Sequence, residues 1–217
     1  REKGSHLIRS RIILNNDDLD VRFAITHSIF TNTQQLENLI SMINQSDVEF
    51  LIVVGNVQIP TNDQQVARLM KVLNRLKVPY FFTTGSTSVS QSSSYWSQIL
   101  GADNFAFDHK LIRFTFLDAS LKTLKKDQYD LLKRWSQTEE LIWDDSKTIQ
   151  NRFLFMRYAP LKHEESTISN ASFTHHLEGV RLINLLGLYG FNSMFSAGEQ
   201  LLNINEANSM IHTVIPA

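Results

Sequence analysis

The sequence predicts a single α/β domain whose first half is a largely parallel sheet. Three observations carry this. β-rich apolar runs alternate with stretches whose apolar residues recur at helical spacing, and the order strand, helix, strand, helix, strand calls for right-handed crossovers between parallel strands. Each run closes in a short polar or glycine-bearing loop. At 217 residues with 42% hydrophobic content, the chain is long enough to bury a full core.

The elements follow in order. Val21-Arg22-Phe23-Ala24-Ile25 alternates and is rich in strand formers, so it reads as a strand that delivers Thr26 to Ile29 at its C-terminal end. Asn32 with Gln35 three residues later marks a helix start, and Leu36, Leu39, Ile40 and Ile43 then share one face. Phe50 to Val54 is continuously apolar and closed by Gly55-Asn56, the pattern of a strand buried on both faces. A second helix presents Val66, Leu69, Met70 and Leu73, and the strand Tyr80 to Thr84 ends at Gly85. Beyond the Ser-rich loop Gln91 to Ser94 come a short helix around Tyr95 to Leu100, a strand from Leu111 to Asp118, and a polar helix from about Asp127 to Trp143. A strand Phe153 to Met156, a helix near His175 to Tyr189, a strand Ser193 to Ser196 and short tail strands at Leu201 to Ile204 and Met210 to Ile215 complete the reading. The Ser-rich loop and Lys162 to Asn170 are the segments expected to be mobile.

Composition excludes several function classes. With 21 basic and 22 acidic residues and a net charge of -1, there is no broad field to steer a polyanion, so neither nucleic acid nor an anionic membrane surface is implied. No apolar run approaches the roughly 20 residues of a membrane-spanning helix, and Arg1 to His6 lacks the apolar core of a signal peptide. The absence of cysteine rules out disulfides, thiolate-bound zinc and a Cys nucleophile. It leaves the compartment open: a soluble chain in a cytoplasm, or one exported after loss of a leader. A Gly-x-Ser-x-Gly elbow, a Gly-rich phosphate loop and a His-Glu-x-x-His helix are absent.

Five strand-end loops, at Thr26 to Ile29, Gly55-Asn56, Gly85 to Ser88, Arg157 to Pro160 and Ala197 to Gln200, fall in a telling order and spacing. With the runs that lead into them, and with Leu117-Asp118-Ala119-Ser120 followed by Gln128, the chain resembles the calcineurin-like metallophosphoesterases over roughly Val21 to Asn203. That family ends successive strands in Asp-x-His, Gly-Asp, Gly-Asn-His-Asp, a single His and Gly-His-x-His. The resemblance implies a four-layer αββα sandwich, two mixed sheets flanked by helices, spanning residues 21-217 after an N-terminal extension 1-20. Family members usually continue past the last motif, so the resemblance leaves truncation at the C-terminus open.

At the family's metal-binding positions this sequence departs from the pattern. The first Asp falls on His27 and its partner His on Ile29, the bridging Asp on Asn56, and the Asn and His of the third motif on Ser86 and Thr87. Arg157 stands at the next His position, and Gly198 and Gln200 at the last two. A two-metal centre must gather anionic or imidazole ligands around about four positive charges. These positions supply one imidazole and a guanidinium. The expectation is therefore no metal and no cofactor, and a catalytically inactive, pseudoenzyme-like module that binds a protein partner or a small anionic ligand.

Two other readings stand beside it. One is a divergent hydrolase built on His27 with Asp108, His109 or Asp118; the other is a metal-free anion or nucleotide sensor using His27 and Arg157. His27 reads either as a base or ligand or as a partly buried, hydrogen-bonded imidazole. Arg157 reads either as an anion-binding group or as the partner of an acid such as Glu199. His163, His175 and His176 read as surface residues, because adjacent helical histidines diverge by about 100°.

Overall fold

The computed structural model describes residues 19–27, 33–55, 63–83, 102–138, 140–141, 144–161, 172–199, 203–207 and 209–216. Strand β1 (Phe23–Thr26), helix α1 (Thr33–Gln45), β2 (Phe50–Val53), α2 (Asp63–Leu73) and β3 (Tyr80–Phe82) form a parallel sheet in the order β1-β2-β3. Then come β4 (Phe105–His109), β5 (Ile112–Leu117), α3 (Lys126–Gln137), the small hairpin β6 (Glu140–Leu141) and β7 (Asp144–Thr148), and β8 (Asn151–Tyr158). Helix α4 (His176–Leu188), β9 (Ser193–Glu199), β10 (Asn203–Ala207) and β11 (Met210–Pro216) follow. The second sheet is mixed, in the order β10-β11-β9-β8-β5-β4.

The layering follows from the two-residue period of the strands. On the first sheet, Leu51, Val53, Tyr80 and Phe82 face one way and pack with Leu36, Ile40, Ile43, Leu69 and Leu73 of α1 and α2. Phe50, Ile52, Val54 and Phe81 face the other way, onto the second sheet. On the second sheet Phe105, Phe107, Phe114, Phe116 and Phe155 point inward, while Leu117, Leu154, Met156 and Met194 pack outward under α3 and α4. The result is helices, sheet, sheet, helices: a four-layer α/β sandwich. Ten of the 14 phenylalanines lie in the layer between the sheets, which makes that layer an aromatic stack. Phe105 and Phe116 stack at 4.4 Å, and Phe155 and Phe195 at 4.9 Å. Each such pair contributes roughly 0.5–1.5 kcal/mol beyond area burial.

The first three strands and the apolar faces of α1 fall where the sequence puts them. Three local expectations are corrected. Phe105–His109 is a strand that the sequence reading lacks: it pairs antiparallel with β5, and its Asp108 carboxylate takes both Nε and Nη2 of Arg113 at 2.7 and 2.8 Å. The polar helix stops at Gln137 rather than Trp143, because Arg113 Nη1 donates to the carbonyls of Trp135 and Thr138 at 2.5 and 2.8 Å. A cation on the last carbonyls of a helix fixes its end. Glu140 and Leu141 are accordingly strand, and of the expected strand-end loops Arg157 and Tyr158 lie within β8 and Ala197 to Glu199 within β9. The expected helix at Tyr95 to Leu100, the Ser-rich loop and Lys162 to Asn170 lie outside the described residues, as does nearly all of the expected N-terminal extension.

Two polar networks tie the outer helices to the sheet. Gln128 of α3 accepts from Lys125 N through Oε1 at 2.8 Å, and its Nε2 donates to Asn104 Oδ1 and to the Asp118 carbonyl at 2.8 and 2.5 Å. This explains the Leu117 to Ser120 segment with Gln128 downstream: one amide caps the helix and holds the end of β5. Glu178 of α4 accepts from Thr123 Oγ1 and Leu124 N, both of which precede α3.

Candidate functional site

The C-terminal ends of β1 and β2 meet those of β5, β8 and β9 along one rim. Backbone bonds align the first sheet there: Val54 N donates to the Thr26 carbonyl at 2.8 Å and Thr83 N to the Val53 carbonyl at 2.9 Å. Beyond Val54 the chain turns through Gly55 at φ +127°, and Thr83 Oγ1 receives the Gly55 N–H at 3.0 Å. Only glycine adopts that backbone at low cost. It also leaves the space that His27 fills. A Cβ on Gly55 would stand 2.7 Å from His27 Nε2 and 2.8 Å from the Ala197 Cβ, so the imidazole sits wedged between the ends of the two sheets.

His27 is half-buried, and its Nδ1 is buried without a hydrogen-bond partner among the described residues. Burial first, and then the charge of Arg157, push its pKa below the ordinary histidine value, so the ring is neutral at pH 7. The expected partial burial is observed; the expected hydrogen bond is not found among the described residues.

Arg157 comes from β8, where it continues the inward-facing series Phe153, Phe155, at a register shift between Met156 and Tyr158. The residue is only 7% exposed. Its Cζ lies 4.7 Å from the Tyr158 ring centroid, and its Nη1 is buried with no hydrogen-bond partner among the described residues. Burial lowers its pKa, while Tyr158 and Asp118 act the other way. Lys122 Nζ stands 5.3 Å from the same Tyr158 ring, so two cations flank one aromatic side chain. The acid whose field Arg157 feels is thus Asp118; the Glu199 side chain lies outside the described residues.

Asp118, at the end of β5, accepts from Ser120 N at 2.9 Å and lines a polar cleft of about 110 Å³ with Asp103, Thr123, Lys125 and Asp127. Burial, and then the Asp118 charge, push Asp103 up to about 6, against the pull of Lys125.

Of the residues singled out from sequence, the structure brings His27, Arg157 and Asp118 to this rim. Gly198 lies in β9. Ile29, Asn56, Ser86, Thr87, Gln200 and His163 lie outside the described residues. Asp108 and His109 are not brought to the rim: Asp108 is locked to Arg113, and His109 Nε2 meets Glu49 Oε2 at 2.5 Å, beside the N-terminal end of β2. His175 and His176 are exposed at the start of α4, as expected of surface histidines. Tyr158, Lys122, Thr83 and Asp103 were not foreseen; only Tyr158, adjacent to Arg157, left a sequence signal. Among the described residues no group of three or more His, Cys, Asp or Glu is placed to hold a metal ion. None of the described helices is long and apolar enough to cross a membrane.

No protein-family model matches the chain, and no curated protein sequence does. Solved structures do match. GAP50, described as the anchor in the inner membrane complex of Plasmodium, aligns with a TM-score of 0.66 at 14% identity, over 90% of this chain and 71% of its own. The protein TT1561 of Thermus thermophilus aligns with a TM-score of 0.58 at 9% identity, over 90% of this chain and 89% of its own. At such identities the likeness is one of fold, and the fold is of the metallophosphoesterase type.

Proposed function

We propose that this chain is a metal-free member of the metallophosphoesterase fold that serves as a binding or structural module instead of hydrolysing phosphoesters. The observation that carries the reading is Arg157: a buried guanidinium beside His27, at a rim where the fold's enzymes gather cations. A guanidinium is no metal ligand, and its fixed charge opposes the entry of a divalent ion. The donor set therefore does not fit a two-metal centre, since one neutral imidazole and Asp118 are left to offset about four positive charges. The family positions Ile29, Asn56, Ser86, Thr87, Gly198 and Gln200 point the same way from sequence, for none carries a carboxylate or an imidazole. GAP50, itself described as an anchor, supports an attachment role for this fold.

A hydrolase built on His27 is disfavoured by geometry. Asp108 and His109 are committed to partners elsewhere, and burial leaves His27 a weak base. The test is turnover: purified protein with added manganese or zinc should hydrolyse neither aryl phosphate monoesters nor diesters above background. Metal-dependent turnover that is lost in His27→Ala would overturn the reading.

A further inference from the structure

The two large sheets differ in width. Among the described residues six strands of the second face three of the first, so part of the wide sheet's inner face has no described strand across from it. Register shows which part. Ile211, Thr213 and Ile215 of β11 pair with Ser193, Phe195 and Ala197 of β9, and Phe195 and Ala197 belong to the layer between the sheets. Ile204 and Glu206 of β10 pair with Thr213 and Ile211, so they share that inner face. The alternate residues Met210, His212 and Val214 are buried on the outer face, whereas Ile204 is 64% exposed and Ile211 49%.

Strand β1 borders this overhang. Its Phe23 ring lies 6.2 Å from both Phe153 and Phe195, so β1 crosses β8 and β9, and a further strand on its outer edge would cross β11 and β10. That edge is open: among the described residues β1 pairs with β2 alone, and all four of its residues are partly exposed where β2 and β3 are buried throughout. The carbonyls of Arg22 and Thr26 accept from Glu49 N and Val54 N on the β2 side, so the N–H and carbonyl of Phe23 and Ile25 point to the outer edge. An apolar edge strand with such groups is a template for another strand.

The sequence ahead of β1 supplies one. Leu7 to Leu14 is followed by the turn formers Asn15-Asn16-Asp17-Asp18. A hairpin with that four-residue loop pairs Leu14 with Leu19, Ile12 with Val21, Ser10 with Phe23 and Ile8 with Ile25. Val21, Phe23 and Ile25 face the layer between the sheets, so this register turns Ile8, Ile12 and Leu14 inward and Arg9 and Arg11 outward. Leu19, 58% exposed among the described residues, gains an apolar neighbour. Arg11 stands opposite Arg22, whose charge is already paired with Asp47. Eight extended residues span roughly 26 Å, enough to run the length of β1.

We propose that residues 7–14 add an antiparallel fourth strand to the outer edge of β1 and cover the isoleucines of β10 and β11. Phe23 meets Phe195, which pairs with Thr213, so Ser10 lies level with Thr213 and Ile204, and Ile12 with Ile211. The occupant of this face is thus the chain's own N-terminal segment.

Two measurements on the full chain test it. Because the chain has no cysteine, Ile12→Cys with Ile211→Cys places the only two thiols, and dibromobimane, which fluoresces on bridging two thiols, reports their approach. This pair should bridge within one chain, and Arg11→Cys with Ile211→Cys should bridge far less. Amide hydrogen exchange is the second. Phe23 and Ile25 should be protected in the parent and lose that protection in Ile8→Asp with Ile12→Asp, while Leu51 and Thr83, whose N–H groups bond within the first sheet, stay protected. If the Asp variant loses protection throughout, the bimane pairs decide. Equal or absent bridging in the two pairs, exposed Phe23 and Ile25 amides in the parent, or protection that survives the Asp changes would overturn the strand. Bridging between two chains, or protection that rises with protein concentration, would also overturn it, because the face is then covered by a second copy.

Discussion

Gly55→Ala tests the packing that builds the rim. Two costs add in the folded state. The backbone at φ +127° admits a β-carbon only with strain of about 1–3 kcal/mol. The new methyl also enters space held by the His27 ring and by Ala197, at 2.8 Å from the Ala197 Cβ, and overpacking of this kind costs about 1–3 kcal/mol. Together they give a loss of about 2–6 kcal/mol, a large share of the 5–15 kcal/mol that holds a typical domain. For a chain of this size that lowers the melting temperature on the order of 10 °C. Urea unfolding of the parent, Gly55→Ala, His27→Ala and the double variant separates the two costs. His27 can swing away or be removed; the strand that carries Ala197 cannot. The double variant should therefore recover about 1 kcal/mol relative to additivity, with the positive-φ cost remaining. A Gly55→Ala protein within about 0.5 kcal/mol of the parent would refute the seating of His27 against Gly55 and the turn that places it.

Three further predictions follow from the rest of the fold. Asp108→Ala strips the buried Arg113 of its carboxylate and should cost about 3–5 kcal/mol, whereas the paired change Asp108→Leu with Arg113→Met should be far milder; chemical denaturation of both decides. Gly179→Ala places a methyl against the carbonyl oxygen of Pro160, a backbone group that cannot rotate away, and should cost about 1–3 kcal/mol in the same assay. Asp103 has a folded pKa of about 6, raised above its ordinary value of 3.8, so the folded state binds its proton more tightly than the unfolded one. Its contribution is most favourable below pH 4 and is lost as pH rises through 6. Asp103→Asn should accordingly stabilise the protein at pH 7 and flatten that part of the stability profile; an unchanged profile would contradict the burial and the Asp118 repulsion assigned to it.

What was legible in the sequence depended on how local the cause was. Phe50 to Val53 and Tyr80 to Phe82 announce buried strands because their apolar runs are continuous, and Leu36, Ile40 and Ile43 announce α1 because their spacing is helical. Strand β4 was missed because Asp108 and His109 look wrong for a buried strand until Arg113 and Glu49 supply their partners. The length of α3 was misjudged for a related reason: the guanidinium that ends it lies 22 residues before the Trp135 carbonyl it takes. At the rim, His27 and Arg157 could be singled out because both stand at motif positions. Their meeting could not be foreseen in detail, since the wedge of His27 against Gly55 and Ala197 joins ends of both sheets. The cations flanking Tyr158 and the Asp103–Asp118 repulsion likewise arise only from the packing of distant segments.

The central claim is that a phosphoesterase-type fold here encloses a rim that does not recruit metal. Its most direct test is elemental analysis of the purified protein after equilibration with manganese or zinc and removal of free ion, with melting curves taken before and after a chelator. The account predicts substoichiometric metal and superimposable curves, because no bound metal contributes to the stability of the fold. Two ions retained per chain, with a melting temperature that falls on chelation, would contradict it.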